Sequence, residues 1–154
     1  MIYPYISYCN MIWASNYNSR LHRTIVLQKR IVRRIAGSPY NSHSEKLFTQ
    51  LGILKVLQIK QLQMCEFMHR YTYNTLPISH ANLFTLASDI HSYTTINLAS
   101  YRTVRARTNS RKFSIKYAGP IEWNRIGLPL NLRSIPILRS FKHCLSLWLI
   151  NQNC

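Results

Sequence analysis

The chain has 154 residues, 47% of them hydrophobic, and carries 20 Lys and Arg against 4 Asp and Glu, a net charge of +16. The length fits one domain or one domain with an appendage, and the hydrophobic share excludes wholesale disorder. The acids Glu45, Glu66, Asp89 and Glu122 stand alone in sequence, a thin supply for nucleotidyl transfer on divalent ions, which needs converging carboxylates. Charge is also uneven: residues 1–40 hold 6 basic and 0 acidic groups, residues 41–90 hold 4 and 3, and residues 91–154 hold 10 and 1. A nearly neutral middle between cationic flanks points to a polyanionic partner.

Cys9, Cys65, Cys144 and Cys154 form no C-x-x-C pair, which fits a reduced, intracellular compartment, nucleus and cytoplasm. The apolar stretch from Met1 to Ala14 has no positive leading region and contains Pro4 and Asn10, so it reads as neither signal peptide nor membrane span.

In chain order, the aromatic-rich residues 3–13 predict a short buried helix from about Ile6 to Ala14, its aromatics in the core. Residues 15–37 predict the helix around which the chain is organised. Leu21, Thr24, Ile25, Gln28, Ile31, Val32 and Ile35 fall on one side; Arg20, Arg23, Lys29, Arg30, Arg33 and Arg34 fall on the other with no acid among them. Val26 and Leu27 interrupt the polar face and call for a second neighbour. Asn16, Asn18 and Ser19 offer N-caps, and Gly37-Ser38-Pro39 is a stop.

Ser42-x-x-Glu45 has the form of a capping box before Leu47, Phe48 and Leu51, and Gly52 breaks that helix. A longer helix is expected from about Leu54 to Asn74, with Val56, Ile59, Leu62, Cys65, Phe67, Met68 and Tyr71 on its apolar side and Pro77 closing it. Residues 78–98 read as a loop with one helical turn near Leu83 to Ala87. Beyond it Arg102, Arg105, Arg107, Arg111, Lys112 and Lys116 interleave with Tyr101, Phe113 and Tyr117, aromatics available for stacking. Phe113, Ile115 and Tyr117 alternate with polar residues as in a half-buried strand, and Gly119-Pro120 reads as a turn. Trp123, before the apolar Ile126 and Leu128, reads as a packing residue. A last helix starts near Ser134 and Pro136, with Leu138, Phe141, Leu145 and Trp148 as its stripe.

The fold class expected is mainly α: a helical unit over 1–76, a linker loop over 77–97, and a basic extension with a short strand and terminal helix over 98–154. No phosphate-cradling glycine loop, nucleophile motif or zinc-like spacing is present; Cys65 and His69 lie i, i+4 without a second pair. No catalytic residue, metal site or cofactor is therefore assigned.

Taken together, residues 4–15, 20–56, 67–77, 113–130 and 140–149 resemble, in order and spacing, the region downstream of the palm in reverse transcriptases of non-LTR retrotransposons of the jockey-like and chicken-repeat-like kind. The matching elements are Tyr3-Pro4-Tyr5, Tyr8-Cys9 with Ile12-Trp13, Leu27-Gln28-Lys29-Arg30, Gly119-Pro120 with Trp123-Asn124 and Leu128-Pro129, and Phe141-Lys142. The likeness implies a thumb-like first part and a carboxy-terminal extension that holds template RNA and target DNA. It implies structural roles for Tyr8, Trp13, Gly119, Pro120, Trp123, Asn124 and Phe141. In the middle loop, His91, Tyr93, Thr94 and Thr95 are followed by Ile96 where the family carries arginine. The fingers and palm, with their aromatic-x-Asp-Asp motif, have no counterpart, so the chain reads as a truncated copy or a gene-model fragment that does not polymerise.

The expected partners are thus RNA and single-stranded or target DNA, with no small-molecule substrate and no membrane. The alternatives are a peripheral protein on acidic membrane surfaces, and a decayed fragment without function.

Overall fold

The computed structural model describes residues 3–89, 100–130 and 132–152, without the side chains of residues 127–130 and 133. The middle-loop residues His91 to Ile96 lie outside these, as do the side chains of Leu128 and Pro129. The fold is mainly helical. Its elements are α1 (Tyr3–Ser7), α2 (Asn10–Trp13), α3 (Asn18–Ile35), α4 (Ser44–Gln50), α5 (Val56–Thr72), α6 (Asn109–Lys112), α7 (Ile115–Leu130) and α8 (Leu138–Asn151), with 3-10 turns at Ile78–His80, Ala87–Asp89 and Leu132–Ser134. The chain forms two compact units: Met1–Gln63 with Lys142–Cys154, and Met64–Phe141. Their limits fall inside α5 and α8.

In the first unit, the single buried helix expected over 6–14 is two short helices broken at Cys9, which has φ +47°. Two side chains divert carbonyls from a continuous helical ladder. Asn10 Nδ2 donates to Ile6 O (3.0 Å) and Trp13 Nε1 donates to Tyr8 O (2.9 Å). Gln63 holds both pieces to α5, accepting from Met11 N and donating to Ser7 O. The aromatics Tyr3, Tyr5 and Tyr8 do not enter the core as expected but are exposed, as is Ile12, and Tyr8 serves through its carbonyl. Trp13 is half-buried, packing with Ile6 and Ile25 against Ala14, Leu21 and Val56.

α3 buries Leu21, Gln28 and Val32 at spacings of one and two turns. Its N-cap is Tyr17, which makes no capping side-chain bond, rather than an Asn or Ser; Asn16 Oδ1 instead accepts from Tyr17 N. Leu27 and Ile35 are exposed, so no neighbour covers Leu27 and the apolar stripe stops short of the last turn. Gln28 sits on that stripe for a polar reason. Its Nε2 donates to Leu54 O (2.8 Å) and its Oε1 accepts from Val56 N (3.0 Å), tying α3 to the start of α5. Gln28→Ala orphans both backbone groups in a buried setting and is expected to cost roughly 2–4 kcal/mol. Denaturant unfolding measures it; a cost below about 0.5 kcal/mol would mean that Leu54 and Val56 find other partners.

α3 and α4 end alike. Gly37 (φ +63°) and Gly52 (φ +62°) occupy the left-handed position that glycine tolerates without a Cβ penalty. At the first, Ser38 N donates to Arg33 O and Gly37 N to Arg34 O; at the second, Ile53 N donates to Phe48 O and Gly52 N to Thr49 O. These are Schellman closures, and Asn74 (φ +52°) closes α5 in the same way. The capping box expected at Ser42 does not form. α4 begins at Ser44 with His43 as N-cap, and Ser42 Oγ donates to Pro39 O. Across this unit Val56, Ile59 and Leu62 of α5 are buried, as are Leu145 and Leu149 of α8, and Gln58 Nε2 donates to Leu149 O.

The second unit is built on Met64, Cys65, Met68 and His69 of α5. The His69 ring lies 4.5 Å from both Tyr73 and Phe141 by centroid, and its Nε2 is 2.8 Å from Ile135 O. Trp123 is 2% exposed and meets Phe141 (5.7 Å) and the edge of His69 (6.4 Å). The strand expected over 112–117 is absent; Phe113 ends α6, and Ile115 and Tyr117 belong to α7. Gly119-Pro120 is likewise helix, not turn. Pro120 lies in the second turn of α7, where its missing N–H frees only the carbonyl of the exposed Lys116. A Cβ on Gly119 would stand 2.9 Å from Met68 Sδ, so any larger residue there would require the Met68 side chain to shift. Asn124 clasps the Tyr101 backbone, accepting from its N (3.1 Å) and donating to its O (2.8 Å).

Candidate nucleic-acid interface

Cations are held outward on each unit by what their neighbours bury. On α3, burial of Leu21, Gln28 and Val32 forces Arg20, Arg23, Arg30 and Arg34 to the exposed side, while Lys29 and Arg33 lie half-buried at its edges. The six are not one site. Arg30, Arg33 and Arg34 come together with Gly37, Ser38 and Tyr40 around an open concavity of about 550 Å³. The Gly37 reversal makes it. The chain turns back, Arg33 Nε donates to Ser42 O (2.9 Å), and Tyr40 is brought beside the last turns of α3. The guanidinium carbons of Arg30 and Arg33 then stand 6.0 and 5.9 Å from the Tyr40 ring centroid. Arg20, Arg23 and Lys29 do not line this groove.

In the second unit, an antiparallel bridge joins Leu86 to Tyr101, with Arg102 N donating to Thr85 O and Ala87 N to Ser100 O. Arg102, Arg111 and Lys116 meet there with Tyr117, Phe84 and Ser114 around a concavity of about 290 Å³. Thr108 caps α6 by accepting from Arg111 N, which fixes Arg111 at the start of this wall. Arg105, Arg107 and Lys112 are exposed but lie outside the groove. Of the aromatics expected to stack, Tyr101 does not qualify. It is 6% exposed and its hydroxyl lies 2.9 Å from Thr72 Oγ1. Phe113 and Tyr117 are half-buried.

The acids are occupied elsewhere. Glu45 pairs with Lys55 (3.1 Å), Glu66 with Arg70 (2.8 Å) and Glu122 with Arg125 (2.8 Å), while Asp89 accepts from Leu86 N. The Lys55 ammonium beside Glu45 holds its carboxyl below the ordinary value. Among the described residues, no acid lies within ion-pair distance of the twelve cations named above. A solvated surface mixes both signs; one that leaves its arginines without acids favours an anion from outside.

Chemistry beyond charge is sparse. Among the described residues no three His, Cys, Asp or Glu side chains cluster as metal ligands. Cys65 is fully buried; that burial, with the Glu122 carboxylate adding to it, pushes its thiol well above the usual range and away from the thiolate that binds metal. Its neighbour His69 is committed to Ile135 O.

No protein-family model, curated protein or solved structure matches the chain. Its functional reading therefore stands on these residues and their arrangement.

Sequence reasoning missed Tyr40. The signal was present, since a glycine stop after a helix folds the next few residues back along its last turns. Gly37 was legible as a stop, and the residue three positions later is the one that returns to Arg30 and Arg33.

Proposed function

We propose that the chain is a non-catalytic, nucleic-acid-binding region of the non-LTR retrotransposon reverse-transcriptase kind. It holds RNA and single-stranded DNA by phosphate contacts in the nucleus and cytoplasm. The observation that carries this is the pair of arginine-walled grooves with no acid in ion-pair range among the described residues. Arginine predominates in both, and its planar fork suits phosphate oxygens better than an ammonium does. Backbone contacts of this sort give affinity with little sequence preference.

One observation favours a second reading. Tyr3, Tyr5, Tyr8 and Ile12 are 53%, 83%, 77% and 72% exposed, and exposed amphipathic tyrosines and an apolar side chain on a cationic chain suit an acidic membrane surface. Among the described residues, no helix is long and apolar enough to cross a membrane. Competition separates the two. Unlabelled RNA and single-stranded DNA of unrelated sequence are expected to displace a labelled RNA equally, while vesicles of acidic lipid leave it bound. Displacement by vesicles at matched charge would support the membrane reading instead.

A further inference from the structure

We infer that the Arg30–Arg33–Arg34–Tyr40 concavity is a single-nucleotide site, in which the arginines take the phosphate and an unpaired base stacks on Tyr40. This rests on the nucleic-acid reading and adds to it a base contact, which limits that site to single strands.

Four observations support it. The concavity, about 550 Å³, falls within the range of small-molecule sites, about 300–1,000 Å³. Arg33 is tethered through Nε to Ser42 O, which leaves both terminal nitrogens of its fork to donate to an anion. Among the described residues, no acid lines the wall. Tyr40 lines the groove and is 69% exposed, with the guanidinium carbons of Arg30 and Arg33 at 6.0 and 5.9 Å from its ring centroid. An aromatic face beside converging arginines is how proteins grip single-stranded nucleotides of any sequence, because every base has a π-face. Paired bases in a duplex are stacked on one another and offer no such face. Neither Schellman closure nor helix capping needs the Tyr40 ring, since Gly37 and Ser38 supply those bonds through their backbone.

The test compares wild type, Tyr40→Leu and Tyr40→Phe on three probes: a short single-stranded DNA, its abasic analogue with the same number of phosphates, and a duplex of the same length. Tyr40→Leu is expected to weaken binding of the single strand about tenfold. It should change binding of the abasic strand and the duplex less than about twofold, because the phosphate contacts remain. Tyr40→Phe keeps the stacking face and stays within about twofold of wild type on all three. Equal loss on single strand and abasic strand would overturn the proposal, because Tyr40 would then act only by placing the arginines. No loss on any probe would overturn it as well. A wild-type protein that binds none of the probes at low salt would sink the underlying phosphate reading itself, an outcome visible without any variant.

Discussion

Replacing Trp123 by alanine is expected to lower the melting temperature by roughly 10 °C or more, the equivalent of about 3–5 kcal/mol. The indole is 2% exposed in the second unit and has Phe141 and His69 around it. Truncation removes its apolar area from the core and leaves a hole that its neighbours fill only in part. His69 makes collapse harder, because its ring is held by Tyr73, by Phe141 and by Ile135 O and is not free to move inward. Trp123→Phe keeps an aromatic edge there and should lose about half as much. A calorimetric scan of both variants decides it. A melt within about 2 °C of wild type, coupled to weaker RNA binding, would make Trp123 a base-stacking residue instead.

The largest effect on binding is expected from reversing Arg30, Arg33 and Arg34 together to Glu. Each phosphate contact on a single strand releases about 0.7 of a counterion, so losing three weakens binding about a hundredfold at roughly 0.1 M salt before any repulsion from the new carboxylates. The loss should be the same for unrelated sequences, because these are backbone contacts. Arg33 also bonds Ser42 O, so its reversal disturbs the turn that carries Tyr40. The Arg30→Glu/Arg34→Glu pair leaves that bond in place and should give an intermediate loss with an unchanged melt. If the pair binds as well as wild type, the first groove is not a phosphate site.

The parts of this molecule that were legible in its sequence are those with long, one-sided periodicity and unambiguous stops. α3 announced itself through the spacing of Leu21, Gln28 and Val32, and its end through Gly37. Segments short enough to fit two periods were not legible. Phe113, Ile115 and Tyr117 alternate as a strand would. They lie in or beside helices, and Pro120 falls early enough in α7 to cost only one exposed carbonyl; the seat of Gly119 against Met68 is likewise invisible in sequence. The break at Cys9 was missed because hydrophobicity says nothing about where Asn10 and Trp13 send their side-chain N–H groups. For the candidate interface, the cations were legible and their grouping was not. Only Arg30, Arg33 and Arg34 of the first six, and Arg102, Arg111 and Lys116 of the second, share a groove. Gln28 was counted as part of an apolar stripe with no sign of the two backbone groups it serves.

The central claim, phosphate binding by the groove cations, is tested most directly by the affinity of the wild-type chain for a long single-stranded RNA across a series of salt concentrations. If the six groove residues engage phosphates, the log–log slope should be about −4, and reversal of Arg30, Arg33 and Arg34 should bring it to about −2. A slope near zero, or a triple variant that keeps the wild-type slope, would contradict the account.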